Sequence, residues 1–283
     1  MQVFREKDPL IQAIQKIKSE GKSVGLVPTM GALHEGHLSL VSNALKESDQ
    51  VVVSIFVNPT QFNNQEDLDK YPRNLEKDLE LLKTKIGDIW IFTPTANELY
   101  GETILSENFD FEGLESVMEG KFRNGHFDGV GTVVKRLFQI ITPDKAFFGE
   151  KDFQQLQIVR KLTEKTGLPI EIVGCPILRE DSGLARSSRN ERLSSQNREK
   201  AAFIYETLKD VKQLFGTESA DYVNEWVENK FKDHPTLDLE YFEIADSNTL
   251  KKITKKEKGN NYRAFIAVYA DEIRLIDNIA LDN

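Results

Sequence analysis

Over the first 176 residues the apolar positions fall in short continuous runs, separated by longer segments in which they recur at helical spacing. Asp8-Pro9 followed by Leu10, Ile11, Ile14 and Ile17 reads as an N-cap, a proline at the first helical position and one apolar stripe ending near Gly21. SVGLV (23–27) and QVVVSIFV (50–57) are β-branched runs, and the segment 36–47 between them has helical periodicity, so the three predict a βαβ unit. Strands that are apolar without alternation belong in a parallel sheet covered on both faces. The series continues with a helix after Asn74 (Leu75, Leu79, Leu82, Ile86), the strand DIWIFTP (88–94) and a turn-rich stretch. A helix near 129–142, the strand KAFFG (145–149), a helix over about 152–166 and IEIVGCPI (170–177) complete it. Strand and helix alternating in this way predict an α/β fold, a doubly wound parallel-sheet (Rossmann-like) nucleotide-binding domain over residues 1–176, with ligands at the carboxyl ends of its strands.

After Pro176 the texture changes. REDSGLARSSRNERLSSQNREK (179–200) is polar and loop-like, amphipathic helices follow at about 198–215 and 219–232, and then come the strands LEYFEIAD (239–246), YRAFIAVYA (262–270) and EIRLIDNI (272–279). These predict a smaller C-terminal α+β domain with antiparallel pairing over residues 177–283. There is no internal repeat, and KKITKKEKGNN (251–261) reads as a solvated turn.

Composition narrows the function classes. A 39% hydrophobic and 29% charged chain of 283 residues has the balance of a globular protein with ample core, and no stretch approaches the roughly 20 apolar residues of a membrane span. The first residues carry no basic patch followed by an apolar run, so the expected location is the cytoplasm, with no membrane partner. Cys175 is the single cysteine, which excludes an intramolecular disulfide and a multi-cysteine zinc site. A net charge of -9 argues against nucleic acid as a partner, but leaves room for a small anion in a local basic pocket.

The candidate chemistry begins at VPTMGALHEGH (27–37), where His34 and His37 stand three residues apart at the start of a helix. That spacing alone admits a metal pair, a phosphate-binding turn or two surface imidazoles. Helical metal pairs favour i, i+4, and no third ligand cluster is visible, so no metal ligand is assigned. In the phosphate reading, Pro28, Gly31 and Gly36 bring backbone N–H groups toward an anion, and the imidazoles stabilise charge developing at an α-phosphorus. Gln61 follows a buried strand, so its amide projects from the carboxyl edge of the sheet and suits the polar end of an organic acid. In GEKD (149–152), Gly149 allows close backbone approach, Lys151 offers an ammonium to phosphate, and Asp152 can accept from ribose hydroxyls.

These stretches form an ordered set. PTMGALHEGHLSLV (28–41) resembles the HxGH signature of the nucleotidyltransferase superfamily that includes the class I aminoacyl-tRNA synthetases. Together with VVSIFVNPTQF (52–62), YPR (71–73), GHFDGVGTVVKRLF (125–138), FFGEKDFQQLQIVR (147–160) and SSRN (187–190), it resembles the pantothenate synthetase family. The resemblance implies a carbon–nitrogen ligase that condenses (R)-pantoate with β-alanine, using ATP and releasing AMP and pyrophosphate through a pantoyl-adenylate intermediate. It places His34, His37, Lys151, Ser187, Ser188 and Arg189 in catalysis. ATP binding is carried over to Met30, Gly31, Ala32, Leu33, His34, Glu35, Gly36, His37, Gly149, Glu150, Lys151, Asp152, Leu178, Arg186, Ser187, Ser188 and Arg189. Gln61 and Gln155 become the pantoate ligands, with Met30 and Asn58 as lesser candidates for the same pocket.

In that scheme RSSRN (186–190) is a mobile signature loop whose hydroxyls and cations close over the triphosphate. The family usually has Met where Arg186 stands, and Pro where Asn124 stands. An extra cation could tighten phosphate binding or slow product release, or its side chain could simply face solvent. Mg2+ is expected to travel with ATP, held by phosphates and water, and the resemblance implies a homodimer. Two other readings stay open at this stage: a related adenylyltransferase or tRNA synthetase fragment, and a nucleotide-binding regulator that kept the fold without the chemistry.

Overall fold

A computed structural model describes residues 1–62 and 65–281. The chain divides into two units, Met1–Glu150 with Gln154–Pro176, and Lys151–Phe153 with Ile177–Asn283. The short segment Lys151–Phe153 therefore packs with the second unit, although in sequence it lies inside the first run of alternating elements.

The first unit is a six-stranded sheet of β1 (Gln2–Phe4), β2 (Val24–Thr29), β3 (Gln50–Ile55), β4 (Trp90–Phe92), β5 (Lys145–Gly149) and β6 (Glu171–Cys175). All its pairings are parallel, in the order β1-β4-β3-β2-β5-β6. The helices are α1 (Lys7–Ser19), α2 (Glu35–Glu47), α3 (Gln65–Lys70), α4 (Leu75–Lys85), α5 (Ala96–Tyr100), α6 (Met118–Phe122), α7 (His126–Ile141) and α8 (Phe153–Thr166). Val27, Val51, Val53, Ile89 and Ile91 pack with Leu38, Val41 and Ala44 of α2 and Leu82 of α4. Side chains alternate along a strand, so Leu26 and Val52, equally buried, point to the opposite face. Both faces of the sheet are thus covered, which is why its strands read as unbroken apolar runs.

The order also locates the switch point. From β2 the chain steps outward through β3 and β4, then returns to the other side of β2 for β5 and β6, so the direction reverses between β2 and β5. The carboxyl ends of these two strands lead into the Met30–His37 turn and into Gly149–Glu150. A doubly wound sheet binds its ligands at such a reversal.

Three details differ from the sequence reading. Helix α1 begins at Lys7 rather than after an Asp8 cap, and Glu6 at its N-cap makes no capping bond. The Lys7 N–H instead donates to Glu98 Oε1 at 2.8 Å, so a distant carboxylate satisfies the first turn and lets it start earlier. Strand β2 does not stop at Val27 but runs through Pro28 to Thr29, with Pro28 opposite Ser54. Its pairing with β5 ends at Leu26, so the proline sits where the strand has one neighbour and its missing N–H breaks no second ladder. Strand β1 is three residues long, too short to show a periodicity.

The second unit holds α9 (Ser195–Lys200), α10 (Ala202–Thr217) and α11 (Ala220–Phe231), followed by β7 (Leu237–Asp246), β8 (Tyr262–Ala270) and β9 (Ile273–Ala280) in an antiparallel sheet of order β7-β8-β9. Where the sequence predicts one helix over 198–215, the chain forms α9 and α10, separated at Ala201. Leu208, Val211 and Phe215 of α10 and Val223, Val227 and Phe231 of α11 form one apolar cluster with Ile244, Ala264, Ile266, Val268 and Leu275 of the sheet. Among the described residues no helix is long and apolar enough to cross a membrane.

Candidate active site

The turn after β2 is built almost wholly from side chains that grip its own backbone. Gly31 has φ +82° and Ala32 φ +51°, the second an unusual conformation for a residue with a Cβ. Asp78, a buried carboxylate on α4, holds it there: Oδ2 accepts from the Ala32 N–H at 3.0 Å and Oδ1 from the Leu33 N–H at 2.8 Å. A Cβ at Gly31 would stand 3.0 Å from Asp78 Oδ2, so the carboxylate and the glycine are matched. Burial pushes the Asp78 carboxyl above the usual carboxylate range, and the two N–H groups that it accepts work in the opposite direction.

The two histidines cap each other. His34 is the N-cap of α2, and its Nδ1 accepts from the Gly36 N–H at 3.1 Å. His37 lies at the third helical position and its Nδ1 accepts from the His34 N–H at 3.3 Å, a reciprocal arrangement like a capping box. The rings lie 4.1 Å apart between centroids. Because Nδ1 of each ring accepts a backbone hydrogen, the neutral imidazole carries its own hydrogen on Nε2, and each ring becomes an Nε2–H donor.

This changes one expectation. The sequence reading has backbone N–H groups of the turn meeting an anion, but the structure engages them internally. Gly31 N–H donates to Thr29 Oγ1, Ala32 and Leu33 to Asp78, His34 to His37, and Gly36 and His37 to His34. These six N–H groups are thus spent within the turn, which leaves the imidazoles as its candidate anion donors. The physical reason is that a left-handed turn needs its amides tied down, a demand invisible in residue spacing.

Next to the turn, Gln61 Nε2 donates to Met30 Sδ at 2.8 Å. Gln61 is buried, at 7% exposure, in the short turn Pro59–Gln61, and its Oε1 accepts from Asn58 Nδ2 at 3.2 Å. Asn58 is the hub: Nδ2 also reaches Gly129 O at 3.1 Å, while Oδ1 accepts from Tyr100 Oη at 2.6 Å and Thr60 Oγ1 at 3.1 Å. Gly129 on α7 permits this, since a Cβ there would lie 2.3 Å from Thr60 O. His126 Nδ1 bonds Gln61 O at 2.8 Å, so this histidine steadies the glutamine's backbone. The side chain of Gln155, half-buried on α8, makes no hydrogen bond among the described residues, whereas the adjacent Gln154 is spent on Leu114 O, Val117 O and the Glu119 N–H. The sequence reading missed Asp78, Tyr100 and Gly129. Of these only Gly129, in the first turn of α7 at the start of an apolar stretch, carries a signal of close approach.

In the second unit, Lys151 is largely buried and stands 3.7 Å from the Asp152 carboxylate. A tight hairpin over 178–186 carries the chain to RSSRN: Arg186 N–H donates to Leu178 O at 2.9 Å and Glu180 N–H to Leu184 O at 2.8 Å. Ser187 then caps the 3-10 turn Ser188–Arg192, its Oγ accepting from the Arg189 N–H at 3.2 Å while its hydroxyl keeps a hydrogen to donate. Lys151, Ser187 and Arg189 line one cavity of about 10 Å3. Glu180 ties the loop down. It accepts from Arg198 at 2.8 and 2.9 Å and from Asn190 Nδ2 at 2.9 Å, and the Arg186 guanidinium lies 3.7 Å away. These bonds, Arg198 first, hold the Glu180 carboxyl below its ordinary pKa. The Arg186 side chain is thus partly exposed and turned toward Glu180. Leu178 is exposed at the hairpin's base. Among the described residues no group of three His, Cys, Asp or Glu side chains could hold a metal ion.

A parallel doubly wound sheet with an HxGH turn at its switch point, and a serine- and arginine-bearing loop in a second unit, defines an α/β enzyme of the HxGH nucleotidyltransferase class. The model of the pantoate-beta-alanine ligase family matches residues 2–280, and the chain belongs to that family. It is 78% identical over all 283 residues to a pantothenate synthetase of Christiangramia forsetii, each chain being covered in full. Among solved structures it is similar to the pantothenate synthetase of Thermus thermophilus, with a TM-score of 0.91, 39% identity and full coverage of both chains. It is also similar to the pantoate-beta-alanine ligase of Francisella tularensis complexed with beta-gamma ATP and beta-alanine, with a TM-score of 0.77, 33% identity and coverage of 100% and 98%.

Proposed function

We propose that this chain condenses pantoate with β-alanine in two steps driven by ATP. A carboxylate and an amine do not join spontaneously in water, so the acid is first activated. A pantoate carboxylate oxygen forms a bond to the α-phosphorus of ATP, the bond from that phosphorus to the bridging oxygen breaks, and pyrophosphate departs. The amine nitrogen of β-alanine then attacks the carbonyl carbon of pantoyl adenylate, the carbon–oxygen bond to phosphate breaks, AMP leaves, and the nitrogen gives up a proton.

Each candidate side chain suits a part of this. Adenylation needs no proton, because the attacking carboxylate is already ionised; what it needs is stabilisation of charge on the phosphates. The Nε2–H groups of His34 and His37 supply it as neutral donors, Lys151 and Arg189 as cations, and Ser187 and Ser188 as hydroxyls. Gln61, with its amide set by Asn58 and Met30, donates to pantoate, and Gln155 is free to do the same. Glu35, Gly149, Glu150, Asp152 and Leu178 complete the proposed nucleotide contacts. Mg2+ enters with ATP as part of the substrate, held by phosphate and water oxygens. Homodimerisation and a cytoplasmic location belong to the same reading, to be checked by light scattering and fractionation.

The observation that carries the proposal is the end-to-end likeness to a ligase crystallised with a form of ATP and β-alanine together. The test is incubation with ATP, Mg2+, pantoate and β-alanine, omitting each in turn and following AMP by chromatography. AMP that forms only in the complete mixture supports the reading. AMP formed independently of pantoate would sink it.

A further inference from the structure

The strand β9 carries two adjacent polar residues, Asp277 and Asn278, at 5% and 2% exposure. Nothing in the proposed chemistry uses them. Successive residues of a strand point to opposite faces of a sheet, so this dipeptide reaches two segments at once. Asp277 pairs in register with Ile266, a residue of the helical core face, and Asn278 with Phe265 on the other.

On the first face Asp277 binds Arg179 through two oxygens, at 2.6 and 3.0 Å. The same guanidinium donates to Gly183 O at 3.1 Å and stacks 3.6 Å over the Tyr205 ring. Arg179 thus spans both arms of the hairpin that leads into Ser187–Arg189, and Asp277 anchors it. The Asn278 N–H donates back to Asp277 Oδ1 at 2.8 Å, which fixes the carboxylate's rotation. On the second face Asn278 Nδ2 donates to Lys151 O at 2.9 Å, while Asn278 Oδ1 accepts from Arg263. Arg263 in turn lies 3.9 Å over the ring of Phe153, two residues along from the lysine.

We infer that Asp277 and Asn278 are positioning residues that set the distance between the Lys151 ammonium and the Ser187–Arg189 loop. One strand grips the backbone of the lysine with one residue and the root of the loop with the next. Lys151, Ser187, Arg189 and Asp277 all line the same cavity of about 10 Å3, room for a single water, so there is little slack between them. The inference rests on the reading of Lys151 and Ser187–Arg189 as phosphate-handling groups.

The informative change is Asn278→Asp, which keeps the shape and the acceptor for Arg263 but turns a carboxylate toward the Lys151 carbonyl. Displacing a catalytic group by about 1 Å costs on the order of 100-fold, so pantoate-dependent ATP–pyrophosphate exchange should fall about 10- to 100-fold in kcat. Capture of supplied pantoyl adenylate by β-alanine involves no triphosphate and should stay within about threefold, a split that general damage to the fold would not produce. Asn278→Ser, which retains a donor, should lie between, and serves if the aspartate variant does not fold. Amide hydrogen exchange should rise at 151–153 and 178–190, with the first unit unchanged. Folded variants with wild-type exchange kinetics and wild-type amide protection would overturn the inference, as would an equal fall in both half-reactions. A wild-type protein without pantoate-dependent exchange refutes the proposed reaction instead; localised amide deprotection in the variants would then still support the positioning role.

Discussion

In the proposed reaction the Met30–His37 turn and the Arg186–Asn190 loop share one task, holding phosphate, but they are built by opposite means. The turn is held by neutral hydrogen bonds: two imidazoles cap each other, and the one carboxylate involved, Asp78, faces backbone N–H groups with no cation paired to it among the described residues. The loop is held by charge, with Glu180 gathering Arg198, Arg186 and Asn190. A turn whose left-handed backbone is fixed by buried hydrogen bonds presents a rigid pair of donors. A loop whose outer fastenings are partly exposed ion pairs is held less firmly at those points, since such pairs contribute little net stability, although Arg179 and Asp277 anchor its root.

The contrast is broken most severely at His37, which caps the turn and, in the proposed reaction, donates to phosphate. His37→Ala should lower the adenylation kcat by about 100- to 1,000-fold, the typical cost of removing one preorganised donor, while the KM for pantoate changes little. His37→Gln separates the two duties, because Gln at the third helical position can still accept from the His34 N–H but carries no imidazole. It should recover thermal stability without recovering rate. A glutamine variant with near wild-type exchange kinetics would make the ring merely a cap.

Next in size is the pair of carboxylates that fix the two regions, which should respond to pH in opposite senses. Asp78→Asn leaves one of two buried N–H groups without an acceptor, at a cost of about 1–3 kcal/mol. The folded-state pKa of Asp78 is raised by burial, so its contribution is fully present below the unfolded value of about 3.9 and is lost as pH rises through the folded value. The folded-state pKa of Glu180 is lowered, chiefly by Arg198, so its contribution is present above the unfolded value of about 4.3 and is lost as pH falls through the folded one. Glu180→Gln should cost about 0.5–1 kcal/mol at neutral pH, in line with a partly exposed pair. Urea unfolding at a series of pH values should show the wild-type advantage over Glu180→Gln shrinking in acid and that over Asp78→Asn growing. Parallel trends for the two would erase the distinction.

How much of this was legible in the sequence follows the same division. Helices and strands of the sheet were legible because buried parallel strands are unbroken apolar runs, and Val51–Val53 or Ala146–Phe148 admit little else. The histidine pair and the loop were legible as motifs, since each is a contiguous string. What was not legible is every contact that closes over long separations. Asp78 lies 45 and 46 residues from the N–H groups that it holds, Tyr100 lies 42 from Asn58, and Asn278 lies 127 from Lys151. Asp78 sits one helical turn past Asn74, in a segment that reads as an ordinary amphipathic helix, and nothing local distinguishes its carboxylate from the exposed Glu76 two positions earlier. Isolated polar residues announce a role only once the fold brings their partners to them.

The smallest effect is expected at Arg186, where the family usually has Met. Taken from sequence, the extra cation is a candidate for tighter phosphate binding. In the structure its guanidinium lies 3.7 Å from Glu180, which Arg198 already binds at two points and Asn190 at one, so Arg186 adds a fourth, longer contact to a carboxylate that is nearly satisfied. Its charge is spent on fastening the loop, and its backbone N–H, bonded to Leu178 O, does not depend on the side chain at all. Arg186→Met should therefore change kcat and the KM for ATP by less than about twofold and stability by a few tenths of a kcal/mol, the scale of one exposed pair. Loop closure is where a difference would surface, because losing one fastening favours release. Stopped-flow measurement of pyrophosphate release should show a modest acceleration that fades at high salt, when the ion pairs of both proteins are screened. A marked rise in the KM for ATP would instead make Arg186 a phosphate ligand, and the loop would then owe its position to its substrate rather than to Glu180.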